Sequence, residues 1–263
     1  MFTNVDFFES NSVSNCVIEG NITFRNVSSI GSSAFSASKF RGPVDFGNVV
    51  NISNRAFENC NYLETIINIG NIKRIGSYAF YGCYNLTGNL NFINILSIGS
   101  YAFQGCSKVY INTTFPFITN IESYALYDCK NSGNLILYQP DIIFGSSVFK
   151  SLINITLFME TDISSMLVSN NIQNINVYYN GSSVSTSRRG SFYQQVKAVY
   201  VLCGFKYNTF YRRNVINPCK TNDSIESIAK QEKPYNQEIQ DNQQFNFNNH
   251  LSRGKYALMF LAS

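Results

Sequence analysis

The sequence predicts a repeat solenoid of short parallel β-strands and loops with little α-helix, and three periodic features carry that expectation. The phrase Ile-x-x-x-Ala-Phe returns at residues 30–35, 52–57, 75–80 and 98–103, with Leu126 replacing Phe in the copy at 121–126. Its steps are 22, 23, 23 and 23 residues. An offset pair of apolar residues flanks one outward position in each copy: Ile22/Phe24, Val44/Phe46, Ile67/Ile69, Leu90/Phe92 and Leu135/Leu137, with Thr113/Phe115 the weakest. Cys60, Cys83, Cys106 and Cys129 repeat in a third column at the same 23-residue step.

Alternation over three residues describes one short strand with two inward side chains per coil. A coil of 23 residues cannot bury its own apolar face, whereas stacked coils about 4.8 Å apart bury a continuous core and pair their strands in parallel. That period and that single strand fit a leucine-rich-repeat solenoid, with Ile and Phe replacing much of the Leu. Degenerate copies of the phrase at 8–13 and 143–149 extend the array in both directions. The solenoid is expected over 1–157. Further strands around Ile155/Leu157, Ile175/Val177 and Val199/Val201 predict irregular closing coils over 158–217. From Pro218 onward the chain turns polar and rich in Asn, Gln and Lys, so 218–263 reads as a flexible tail.

The wording Ile75-Gly76-Ser77-Tyr78-Ala79-Phe80-x-Gly82-Cys83-x-x-Leu86, repeated closely from Ile98 to Val109, resembles the BspA-like class of leucine-rich repeats. The resemblance covers about residues 5–157, and 199–215 is similar to the closing segment such proteins often carry. It implies a non-enzymatic surface protein linked to adhesion and to recognition of host or matrix proteins.

Composition excludes a disordered chain, since 44% of the 263 residues are apolar and only 14% charged. No apolar run approaches the roughly 18 to 20 residues of a membrane-spanning helix. The first six residues show no basic segment leading into an apolar run, so no conventional secretory signal is visible and a cytoplasmic location stands as the alternative.

The candidate residues divide into four sets. The four column cysteines, with Cys16 in the same slot of the first copy, read as a buried reduced ladder; no Cys-x-x-Cys pair accompanies them to suggest zinc. Cys203 and Cys219 lie outside the ladder, and whether they pair is left open by the sequence. Tyr78, Tyr101 and Tyr124 recur in the slot before Ala, so stacking aligns them either as a structural ladder or as a candidate binding surface. The outward strand positions Thr23, Asp45, Asn68, Asn91, Thr114 and Ile136 form a mostly polar, uncharged face.

The fourth set is electrostatic. Residues 163–222 contain no Asp or Glu but hold Arg188, Arg189, Lys197, Lys206, Arg212, Arg213 and Lys220. The arginine pairs Arg188/Arg189 and Arg212/Arg213 form the candidate polyanion patch, suited to a glycosaminoglycan, an anionic membrane surface or nucleic acid. No nucleic-acid motif accompanies it. The single histidine, His250, stands apart from any nucleophile in sequence, and no phosphate loop, Gly-x-Ser-x-Gly or zinc-protease motif is present. The chain is therefore expected to be a non-enzymatic interaction module without a cofactor. Its expected partner is a protein of a matrix or host surface, with a glycan possible. The alternative is an intracellular scaffold held to polyanions or membrane by the basic region.

Overall fold

The computed structural model describes residues 7–137, 142–150, 156–159, 175–179, 196–201, 206, 209–210 and 213–216, all within one compact unit, Met1–Ile216. The expected tail at 218–263 lies outside the described residues, as do Cys203 and Cys219.

Parallel coils stack in sequence order. The strand anticipated from the offset apolar pairs appears as Ile22–Thr23, Val44–Asp45 and Ile66–Ile67, paired parallel in one three-stranded sheet. In later coils it lengthens to Lys108–Phe115 and Lys130–Leu137 and continues through Thr156–Met159, Ile175–Tyr179, Val196–Val201 and Arg213–Ile216. Leu135, Leu157, Val177, Val199 and Val215 stand in register across this sheet. Parallel pairing therefore runs on past residue 157. One antiparallel partner, Thr209–Phe210, closes it.

A second strand in each coil, which the sequence pattern did not single out, falls on the phrase isoleucine. Phe7–Phe8, Ser29–Ile30, Asn51–Ile52, Arg74–Ile75, Ser97–Ile98, Asn120–Ile121 and Ile143–Phe144 pair parallel as a seven-stranded sheet. Val17–Glu19 paired with Lys39–Arg41 adds a third strand to two coils, and Thr87–Asn89 pairs with the start of Lys108–Phe115, so Leu90 and Phe92, expected in a strand, are buried just beyond one. The described residues contain no α-helix, only a 3-10 turn at Ile69–Asn71.

Stacking places like residues on like. Phe35, Phe57, Phe80 and Phe103 lie ring on ring at 5.3, 5.2 and 5.1 Å, tilted by 10°, 2° and 7°. Ala34, Ala56, Ala79, Ala102 and Ala125 beside them are fully buried, as are Ile30, Ile98 and Ile121. Each fully buried Phe contributes about 1.5 to 3 kcal/mol of transfer free energy. The small Ala lets adjacent coils close on the larger rings.

The phrase glycine answers a backbone constraint. A Cβ on Gly76 would stand 2.5 Å from the backbone nitrogen of Asn54 in the previous coil, and one on Gly99 would press on the backbone nitrogen of Ser77. Between coils, side chains finish the hydrogen bonding that two-residue strands leave undone. Asn48, Asn71 and Asn94 each donate their amide to a carbonyl one coil back, at Arg25, Gly47 and Gly70.

One expected inward residue is corrected. Ile66, half-buried, stands in register with Val44 and Ile22, whereas Ile67 is 42% exposed. The coil step grows from 22 to 23 residues here. The chain absorbs the added residue at Asn68, which adopts the left-handed region at φ 57° and donates its amide to Asp45 at 2.8 Å. Ile69 beyond it returns to the core.

Candidate functional site: a stacked tyrosine row

The slot before the phrase Ala is left-handed in coil after coil, with φ between 53° and 60° at Ser33, Arg55, Tyr78, Tyr101, Tyr124 and Ser147. Its N–H leaves its own coil and bonds the next one: Arg55 to the Ser77 carbonyl, Tyr78 to Ser100, Tyr101 to Ser123 and Tyr124 to Ser146, at 2.8 to 3.0 Å. This turn fixes the backbone of each tyrosine and aims all three side chains alike.

The rings stack directly. Tyr78 and Tyr101 are 4.8 Å apart at 13°, and Tyr101 and Tyr124 are 4.9 Å apart at 4°. Two further rings meet the row edge-on, Tyr81 against Tyr78 at 5.5 Å and Tyr127 against Tyr124 at 5.8 Å. Arg55, in the same slot one coil earlier, lays its guanidinium over the Tyr78 face at 5.3 Å, and Lys150 stands over Tyr127 at 5.3 Å. All five tyrosines are half-buried. The row thus presents ring edges and side-chain tips to solvent while its internal faces are covered.

A serine column runs alongside and is internally bonded. Asn54 accepts the Ser77 N–H at 2.9 Å, Glu122 accepts both the N–H and the hydroxyl of Ser100 at 3.0 and 2.7 Å, and Ser123 accepts the Ser146 N–H at 3.0 Å. Sequence reading singled out the three stacked tyrosines but missed Tyr81, Tyr127, Arg55 and Lys150. The signal for Arg55 was its slot, the residue before Ala56.

The cysteine column lies in the interior. Cys60, Cys83, Cys106 and Cys129 are buried free thiols, and Cys16 is free and exposed. Each buried thiol donates to a phenylalanine carbonyl one coil back, Cys60 to Phe35 at 3.0 Å, Cys83 to Phe57 and Cys106 to Phe80 at 3.1 Å, and Cys129 to Phe103 at 3.6 Å. Ser38 fills the same slot in an earlier coil, and its hydroxyl makes the equivalent bond to Val13 at 2.7 Å. Burial pushes the Cys60 thiol up to about 12, and it raises Cys83, Cys106 and Cys129 as well. Thiols held neutral in this way are poor nucleophiles.

Of the candidate polyanion patch, Arg188, Arg189 and Arg212 lie outside the described residues, and Arg213 is described only as part of the strand Arg213–Ile216. Lys197 and Lys206 are exposed. Among the described residues, no group of three or more His, Cys, Asp or Glu converges to hold a metal ion, and no helix is long and apolar enough to cross a membrane.

Repeating parallel coils with an interchangeable slot at each turn define a leucine-rich-repeat interaction module. The family model described as "BspA type Leucine rich repeat region" matches residues 2–87 and 88–199 in six copies, and the chain belongs to that family. No curated protein matches the sequence. Among solved structures, a leucine-rich repeat protein from Bacteroides ovatus ATCC 8483 is similar at 14% identity and a TM-score of 0.43. The match covers 74% of this chain and 59% of that one.

Proposed function

We propose that this chain is a recognition module displayed at a cell surface, where it binds a protein partner through the edges and ends of the tyrosine row. One observation carries the reading: Tyr78, Tyr101 and Tyr124 all hold the left-handed conformation. That region costs an ordinary residue roughly 1 to 2 kcal/mol and is cheap for Gly or Asn. Stacking returns about 0.5 to 1.5 kcal/mol for each of the two ring pairs. With the two edge-on rings and Arg55 over Tyr78 added, these contacts about offset the backbone cost, so the fold gains little from tyrosine in a slot that Asn11 occupies at the first coil. Strained backbone of this kind concentrates at functional sites.

Tyrosine offers large, rigid contact area with little entropy to lose, which suits a protein partner. A glycan would need open ring faces, and within the row these are covered. Replacing Tyr78, Tyr101 and Tyr124 together by Ser should weaken binding to immobilised matrix and host-surface proteins at least tenfold while circular dichroism stays unchanged. Undiminished binding by the folded variant removes the row from the account. Protease applied to intact cells should release peptides of this chain; protection behind a sealed membrane would defeat the surface location.

A second reading, an intracellular scaffold tethered by the basic residues of 163–222, draws support from the exposed free thiol of Cys16, which a reducing compartment preserves. Under that reading, binding to anionic vesicles collapses between low and high salt.

A further inference from the structure

Building on the proposed use of the tyrosine row, we propose that its Tyr124 end is a seat for a guanidinium group, supplied by an arginine side chain of the protein partner. The slot hydrogen bonds identify the next rung: Tyr124 N–H bonds Ser146, and Ser147 follows in the left-handed conformation at φ 55°. The rung beyond Tyr124 is therefore a serine, whose hydroxymethyl group is too short to cover a ring. Among the described residues the Tyr124 ring meets Tyr101 face to face and Tyr127 edge-on, which leaves its outer face without a stacked ring. Ser146 is exposed and Ser147 half-buried, so the rung is reached from solvent.

The other end of the same row shows what such a terminal face accepts. Arg55 stands one rung before Tyr78 and lays its guanidinium over that ring at 5.3 Å. A planar, weakly hydrated cation is the preferred group for an aromatic face, and guanidinium is favoured over ammonium.

The test uses the full chain with ring-labelled tyrosine in solution NMR and three probes: the N-acetyl amides of arginine, lysine and tyrosine. The arginine probe should shift the Tyr124 resonance saturably, and at least threefold more tightly than the lysine probe. Ser147→Tyr, which adds a ring to the stack, should abolish that shift, with unchanged Tyr78 signals certifying the fold. No saturable shift, a shift that survives Ser147→Tyr, or binding of the tyrosine probe alone would each overturn the seat. Adhesion lost in the triple tyrosine variant but intact in Ser147→Tyr would also overturn it, and would leave the proposed role of the row standing.

Discussion

The sulfur column shows how little of a residue's role lies in its chemical name. Cys106 and Ser38 do one job, each returning a hydrogen bond to a carbonyl one coil back. Cys106→Ser should therefore keep most of the stability, whereas Cys106→Ala removes one of the two donors to the Phe80 carbonyl and should cost about 0.5 to 1.5 kcal/mol. The Phe80 carbonyl still accepts the Cys83 N–H at 3.2 Å in either variant, so urea midpoints compare the two as the loss of one of its two donors. The buried thiols also set an alkaline limit. Their native state is neutral and their pKa raised above the ordinary 9.0, so the stability they contribute is complete below pH 9 and is lost as pH rises toward about 12 for Cys60. Thermal melts from pH 8 to 11 should show a steady fall that the quadruple Cys→Ser variant reduces. The cysteine and tyrosine columns were legible because identical residues recur at one step. Ser38 and Arg55 were not, since a slot filled by a different residue is visible only once the coils are superimposed.

At the scale of elements, the offset strand was readable from its paired apolar residues, but the seven-stranded sheet was not. Each of its strands is two residues long and most send a single isoleucine inward, so no alternation exists to be seen. Its isoleucines had been found, yet as part of a phrase and not as a strand. The coil at 66–69 misled for another reason: an inserted residue shifts the inward position by one, and hydropathy alone cannot say where the chain absorbs it. Backbone proximity also makes firm demands. Gly76→Ala drives a Cβ against the Asn54 backbone and should destabilise by about 1 to 3 kcal/mol, read from chemical denaturation. Phe80→Ala, at the middle of the ring stack, should cost about 3 to 5 kcal/mol in the same measurement.

For the molecule as a whole, coils that bond only to their neighbours are interchangeable units. Ile75 and Ile98 are in register, so deleting 76–98 joins Ile75 to Gly99 and rebuilds the phrase. That variant should fold with a modestly lower denaturation midpoint, while deleting only 76–87 breaks the phase and should abolish cooperative unfolding. The periodic architecture was evident from sequence because the same wording recurs; the partner was not, because the slot before Ala accepts Ser, Arg or Tyr without disturbing the period. The two-residue parallel strands carry a mechanical consequence as well. Tension along the stacking axis would load each coil's few hydrogen bonds in turn, not together in shear. A coil of 23 residues that occupies about 4.8 Å when stacked could pay out about 80 Å of chain when pulled free. The solenoid is in this respect a ratcheted tether, able to lengthen by whole rungs under load while the rungs still stacked keep their grip.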